Sequence, residues 1–415
     1  MEVQTKKRSK SPNVDKLRQE FPMLGKKVNR KPFIYFDNAA TGHKPQSVLQ
    51  RLQQFYIGEY GKPKESHELG KMATESVEEA RSKIANFIGA GSEKSIVFTR
   101  GCTESINIVA GGFAREILKK RDEILITALE HHANIIPWQM ACAQSGAILK
   151  VVPITPSGEV EIESFENMLS DRTKIVAVSH SSHVFGTILP VKKMIALAHK
   201  KGIPVLLDGA QTVPHMPVNV EDLDCDFYTF SAHKMGGPAG VGVLYGKRKW
   251  LNQLPPFEGG SDMAKKVSFE KTEYESVPQK FEAGTMPFAD IIAFGAGIDF
   301  LEELGMENLF QYEQELLAYA TEELSKISGV TLLGSAAEKE AVISFYMEQK
   351  DVKKLEKYLS NEHNIFVRAG ELNAQPLMKV LGVKGLLRIS FSYYNTMSEI
   401  DTFVKALKKF LEEKK

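Results

Sequence analysis

From about residue 35 to residue 250, short β-branched runs alternate with stretches whose apolar positions recur at helical spacing. Residues 95–99, 123–127, 174–178 and 204–208 read as strands buried on both faces, because apolar side chains follow one another without an exposed partner in between. Between them, residues 76–87 and 191–200 carry the single apolar stripe of a surface helix. This alternation predicts an α/β fold around a mainly parallel sheet. Ligands of such sheets sit beyond the carboxyl ends of the strands, which directs attention to the polar residues closing these runs, Arg100, His180 and Asp208.

Gly- and Pro-rich stretches at 255–261 and 284–287 precede a long helical pattern from Asp290, after which helices alternate with strands at 341–346 and 387–392. A chain of 415 residues is also too long for one simple core. The expected division is a tail and small-domain segment at 1–30, a large domain at 31–299 and a small α+β domain at 300–415.

Charge narrows the partners. The 53 basic and 52 acidic side chains leave a formal charge of +1, so no global field draws the chain to nucleic acid or anionic lipid. No apolar run reaches bilayer length, and a small-molecule partner is expected. Cys102, Cys142 and Cys225 lack paired spacing, which argues for a reducing, cytoplasmic setting and against a disulfide framework or a metal site. The basic start (Lys6, Lys7, Arg8, Lys10) has no apolar signal stretch and reads as a frayed tail.

The strongest chemical signal is Ser231-Ala232-His233-Lys234-Met235-Gly236-Gly237-Pro238, which follows the strand-like run 226–230. A lysine in a water-poor loop loses its charge readily and becomes an amine nucleophile toward an aldehyde, with Ser231 and His233 placed to contact a phosphate. Upstream, Asp208 ends a very apolar strand, where a pyridinium nitrogen would pair with it, and Gln211 follows within reach of a ring hydroxyl. Thr99-Arg100-Gly101-Cys102-Thr103 leads from a strand into a helix pattern at 105–118, an anion site in which Thr103 adds a hydroxyl. After the strand 124–127 come His131 and His132, of which His131 is the candidate to stack on a ring. Each has an ordinary alternative: a surface lysine, an Asp or Thr capping a helix, a structural histidine. Together they describe one ligand, pyridoxal 5′-phosphate (PLP), with Lys234, His131 and Asp208 as the catalytic set.

The chain resembles the class V aminotransferase group, and within it the SufS type of cysteine desulfurase and selenocysteine lyase. The resemblance rests on Tyr35-Phe36-Asp37-Asn38-Ala39-Ala40, Arg100-Gly101-Cys102-Thr103-Glu104, Glu130-His131-His132-Ala133-Asn134, Asp208-Gly209-Ala210-Gln211, Ser231-Ala232-His233-Lys234, Phe281-Glu282-Ala283-Gly284-Thr285, and Arg388 with Tyr394-Asn395-Thr396. It implies the PLP-dependent fold type I with a seven-stranded type of sheet, and a homodimer in which Thr285 reaches the partner's cofactor phosphate. It places Cys102 at the phosphate end, Arg388 on the substrate α-carboxylate, and Asn38 on the substrate side.

Departures gather around the substrate. Where these desulfurases carry the cysteine that accepts sulfur, Arg368-Ala369-Gly370-Glu371-Leu372-Asn373-Ala374-Gln375-Pro376-Leu377 has Asn373, and an amide cannot form a persulfide. His183 replaces the family's Asn, Pro63-Lys64-Glu65 replaces a His-Arg-Gly stretch near the entrance with His67 kept, and Met286 follows Thr285. The expectation is a PLP lyase on a small amino acid, cleaving Cβ–S, Cβ–Se or a related bond without an enzyme persulfide. Epimerase or aminotransferase chemistry, and a non-catalytic regulator bound to a sulfur-assembly partner, remain as alternatives.

Overall fold

The computed structural model describes residues 13–412, so the basic tail lies outside the described residues. A two-residue strand, β1 (Ile34–Tyr35), comes first. The central sheet follows, with β2 (Ile96–Thr99), β3 (Glu123–Thr127), β4 (Ile148–Val152), β5 (Thr173–Ser179), β6 (Val205–Asp208), β7 (Phe227–Ser231) and β8 (Gly242–Gly246). Its spatial order is β2-β8-β7-β6-β5-β3-β4, and only β8 runs antiparallel to its neighbours. The α/β architecture with a mainly parallel sheet expected from the apolar runs is therefore observed. Strands β2, β3, β6, β7 and β8 are buried along their whole length, because helices such as Glu68–Phe87, Cys102–Glu116 and Val191–His199 cover the sheet.

A short exposed hairpin, β9 (Ala264–Val267) with β10 (Thr272–Tyr274), precedes the helix Phe288–Leu304. The C-terminal region adds a four-stranded antiparallel sheet, in which β11 (Thr331–Leu333), β12 (Val342–Tyr346), β14 (Arg368–Gly370) and β15 (Leu386–Ser390) lie in the order β11-β12-β15-β14. Strand β13 (Ile365–Phe366) instead pairs in parallel with β1. The helix Met397–Glu412 turns Ile400, Phe403, Val404 and Leu407 inward.

The N-terminal segment packs on this region. Arg18 bonds the Tyr394 carbonyl at 2.6 Å and pairs with Glu399 at 3.0 Å, and Phe21 lies against Phe300 and Tyr394. The attachment continues through Asn38, whose Nδ2 donates to the Ser390 carbonyl (2.7 Å) and to Asn395 Oδ1 (3.1 Å).

Candidate active site

The carboxyl ends of β5, β6 and β7 open into a cavity of roughly 870 Å³, counting its open mouth. Asp208 ends β6 and the chain must leave at once over Tyr228: a Cβ at position 209 would lie 2.1 Å from that ring, so only glycine fits. Asp208 Oδ1 accepts from the Ala210 N–H at 3.0 Å and from the Cys102 thiol at 3.2 Å. Gln211 donates Nε2 to the Ala39 carbonyl (2.9 Å), while its Oε1 is buried without a partner. An orphaned acceptor on a cavity wall is expensive unless a ligand satisfies it.

Lys234 sits in the turn after β7, half-buried by area yet enclosed by cavity walls. Desolvation lowers the pKa of its ammonium, against the opposing pull of Asp208. Three donors hold the preceding carbonyl, that of His233: Gly42 N–H at 3.1 Å, Thr41 Oγ1 at 3.1 Å and Lys44 Nζ at 2.9 Å. The backbone beneath the amine is thus pinned on its outer side.

The helix Cys102–Glu116 points its amino end at the same cavity, with Gly101 as N-cap and no side-chain cap. Its Cys102 N–H takes Ser231 Oγ at 2.8 Å. Gly101 and Gly242 touch through backbone alone, since a Cβ on Gly242 would come within 2.3 Å of Gly101 Cα. Thr103, Ser231 and His233 border both the cavity and its outer continuation past Gly101 and Glu104. Uncapped N–H groups at a helix start form an anion site, and here the second, independent sign is the facing lysine and carboxylate.

His131 is oriented by a buried network. Glu130 accepts from Thr127 (2.5 Å), Asn134 (2.8 Å) and Ser179 (2.6 Å), which fixes the turn that carries the imidazole. His131 Nδ1 accepts from the Ala133 N–H (3.0 Å), and burial drops its pKa to about 3, so it is a neutral ring. His183 meets it edge-on, with centroids 4.8 Å apart, and donates Nε2–H to the Leu372 carbonyl at 2.9 Å. Burial holds His183 neutral as well.

The loop over the cavity consists of residues 371–375. Leu372 (φ 54°) and Asn373 (φ 55°) are both left-handed, a conformation that asparagine tolerates and leucine pays for. Two further bonds hold the loop down, His132 N–H to the Asn373 carbonyl (3.0 Å) and Gln375 N–H to His132 Nε2 (3.3 Å). Asn373 itself is exposed and faces the cavity. Behind it, Arg388 bonds the His183 carbonyl and Asp37, each at 2.9 Å, and its buried Nε is unpartnered.

The structure gathers Cys102, Thr103, His131, Asp208, Gln211, Ser231, His233, Lys234, His183, Asn373 and Arg388 around one cavity. Several sequence expectations come out differently. Cys102 starts the anion-binding helix, but its thiol turns toward Asp208 and Thr229 Oγ1 (3.1 Å), away from the phosphate end. Asn38 is buried outside the cavity lining, its amide spent on Ser390 and Asn395 and its oxygen on Tyr394. Thr285, expected at the partner's site and not at this one, is no such exception: it lines a separate groove with Lys64, Arg81 and Glu282. His180 is consumed by the Tyr228 hydroxyl (2.9 Å), and Arg100 pairs at the surface with Glu104 and Glu258.

Ser181 and Arg368 are among the cavity residues that were missed. Ser181 follows β5, and Arg368 stands directly opposite Arg388 across β14 and β15. Like charges directly opposed in a sheet are destabilising, so this pair has a use for an anion. Its sequence signal was the Arg at the head of the 368–377 segment.

An anion-binding helix start, a strand-end carboxylate and a desolvated lysine around one cavity define a site for an aldehyde cofactor bearing a phosphate. The sequence pattern of Aminotransferase class-V matches residues 34–403, and the chain belongs to that family of PLP-dependent enzymes. It is 46% identical over 401 residues to a probable cysteine desulfurase of Mycolicibacterium paratuberculosis, covering 96% of this chain and 58% of that protein. It is 42% identical to a probable cysteine desulfurase of Halalkalibacterium halodurans, covering 96% of this chain and 98% of that one. The crystal structure of the cysteine desulfurase CsdA from Escherichia coli superposes with a TM-score of 0.89 at 35% identity, covering 96% and 98% of the two chains. The fold is thus that of the PLP-dependent cysteine desulfurases, and the family's cofactor is pyridoxal 5′-phosphate.

Proposed function

We propose that the chain is a PLP-dependent enzyme acting on a small cysteine-like amino acid, and that it cleaves a Cβ–S, Cβ–Se or related bond without passing sulfur to an enzyme thiol. One observation carries this reading: the loop residue facing the cavity is Asn373, and Cys102, the only cysteine on the described cavity wall, has its thiol tied to Asp208 at the floor. Burial raises that thiol's pKa well above its usual value, which keeps it a poor nucleophile. The desulfurase relatives support a cysteine-like substrate.

The residues present fit the cofactor. Lys234 would anchor its aldehyde, Asp208 its ring nitrogen and the unpartnered Gln211 Oε1 its ring hydroxyl, with the neutral His131 against the ring face. Thr103, Ser231, His233 and the helix start would hold its phosphate. When bound, PLP supplies an electron sink for negative charge at the substrate Cα. Lys234 Nζ, whose ammonium form is disfavoured by desolvation, would take and return the Cα proton. Arg388, braced by Asp37, holds the α-carboxylate, and Arg368 adds a second positive charge beside it.

An epimerase or aminotransferase would be favoured by a second acid/base near Cα from His183 or Glu371, and neither is free for that work. His183 is committed to Leu372, and Glu371 is exposed and accepts from Gln375 at 2.7 Å. This favours the lyase over an epimerase or aminotransferase. The three cysteines are free, which supports a cytoplasmic setting, and no helix among the described residues is long and apolar enough to cross a membrane. A homodimer that brings Thr285 toward the other copy's phosphate accords with its place in a groove outside this cavity.

Purified protein loaded with PLP should release a sulfur or selenium product from cysteine-like substrates while mass spectrometry finds no sulfane sulfur on the chain. The Asn373→Cys variant should gain such an adduct at residue 373. Racemised or transaminated amino acid as the sole product overturns the lyase reading.

A further inference from the structure

Beside the cavity lies a buried polar cluster that the chemistry above does not use. His215, in the loop after β6, places Nδ1 2.9 Å from Glu313 Oε2 on the helix Met306–Ser325. Next to this pair is Glu340, two residues before β12, with a relative exposure of 1%. The hydroxyls of Ser181 and Thr212 lie against its carboxyl and bond one another at 2.8 Å, and neither Glu340 oxygen has a well-aligned donor. The backbone that carries this carboxyl is held in place. Glu340 N–H donates to the Gly186 carbonyl (2.8 Å), its own carbonyl accepts from Val342 (2.6 Å), and a Cβ on Gly186 would come within 2.7 Å of that oxygen.

Three ionisable groups in a dry pocket cannot all carry charge cheaply. Burial raises the Glu313 carboxyl as it does that of Glu340; with His215 protonated and bonded to Glu313, one ionised carboxylate balances the imidazolium and a second, at Glu340, would be uncompensated. Burial pushes the Glu340 carboxyl upward, and Glu313 adds to this, while His215 and the two hydroxyls pull the other way. Lys234 and the Tyr228 phenol are the other titratable groups that sense it. A neutral carboxyl is a donor, whereas a carboxylate only accepts. With Glu340 neutral, its proton goes to the Thr212 oxygen, the Thr212 proton to Ser181, and the Ser181 proton is left for the cavity that Ser181 lines. With Glu340 ionised, both hydroxyls turn back to it and the cavity meets lone pairs only.

The geometry points to Glu340 as a positioning residue: held as a neutral acid beside the His215–Glu313 pair, it aims the Thr212–Ser181 hydroxyls so that Ser181 offers a proton to the bound cofactor. This inference rests on the cofactor assignment above and reaches across from the C-terminal region to the floor of the site.

Two measurements separate it from that assignment. In cofactor-free protein at neutral pH, the infrared difference between wild type and Glu340→Gln should contain the carbonyl band of a buried carboxylic acid; a carboxylate signature instead overturns the inference, whatever binds in the cavity. In PLP-loaded protein, the pH midpoint of the visible absorption should move by about one unit, tenfold in proton affinity, in Ser181→Ala, Thr212→Val and Glu340→Ala. Glu340→Gln, whose amide still donates, should restore the wild-type midpoint. A shift in Ser181→Ala alone, or a Glu340→Gln midpoint as displaced as that of Glu340→Ala, overturns it. Wild type that takes up no PLP overturns the cofactor assignment and the coupling together, leaving the infrared result to decide the charge of Glu340.

Discussion

The floor and the roof of the cavity are built differently. The floor hangs from strand ends: Asp208 closes β6, Ser231 closes β7, and three donors lock the carbonyl beside Lys234. The roof is a loop with two left-handed non-glycine residues, clipped down by His183 and His132. Two departures from the desulfurase pattern, Asn373 and His183, fall on the roof and its clip, those at Pro63, Lys64 and Met286 lie in the groove with Thr285, and the floor keeps the cofactor residues. A sheet that fixes the cofactor is thus separable from a loop, held by a few bonds, that meets the substrate.

The largest effect that would sharpen this contrast is at the floor. Lys234→Ala should abolish the borohydride-fixed cofactor adduct found by peptide mass spectrometry and lower turnover by roughly 10²–10⁴-fold, with the fold retained by circular dichroism. An adduct on another lysine would break the assignment of the floor.

Next comes acid. His131 and His183 border the cavity as neutral rings, His131 with a pKa near 3, and burial also lowers His43, His180 and His233 to about 4. Below about pH 6.5 the unfolded chain binds protons at these positions and the folded chain does not, so stability should fall as pH drops from about 6.5 toward 4. The slope is up to about 1.4 kcal/mol per pH unit for each fully buried histidine. His215 works in the opposite sense: burial pulls it down, but Glu313 outweighs burial and raises it, so its contribution is present in acid and lost as pH rises through its folded value. Urea unfolding of the cofactor-free protein at stepped pH checks the balance, and a flat profile would contradict the buried neutral rings.

The smallest effect is at the roof. His183→Phe leaves the Leu372 carbonyl without its donor, a cost of about 1–3 kcal/mol borne locally. Amide exchange should quicken across 371–375 and stay unchanged at β6 and β7. Equal acceleration in both places would erase the distinction between floor and roof.

Much of the floor was legible because strand-end chemistry is written in contiguous residues, as in Leu206-Leu207-Asp208 or Ser231 through Lys234. The helix expected from 105 begins three residues earlier, at Cys102, since Gly101 already serves as its cap. What stayed hidden was set by partners distant in sequence. The direction of the Cys102 thiol depends on Thr229 and Asp208, and Asn38 is claimed by residues some 350 positions away. Glu340, within the charged run Glu338-Lys339-Glu340, has the appearance of a solvated loop until β12 and Gly186 bury it. The pairing of β1 with β13 is two residues long, too short for any period to register.

That small pairing has a mechanical consequence. Ala39 and Ala40 form part of the cavity wall, yet they are moored to the C-terminal sheet through β1, Asn38 and the bond from Ala39 N–H to Ser390 Oγ at 2.9 Å. Any rocking of that sheet carries this wall with it as one jaw, together with Arg388, while Asp208 and Lys234 stay behind as the anvil. Gln211, which grips the Ala39 carbonyl from the anvil side, is the hinge pin that such a stroke must slide or snap.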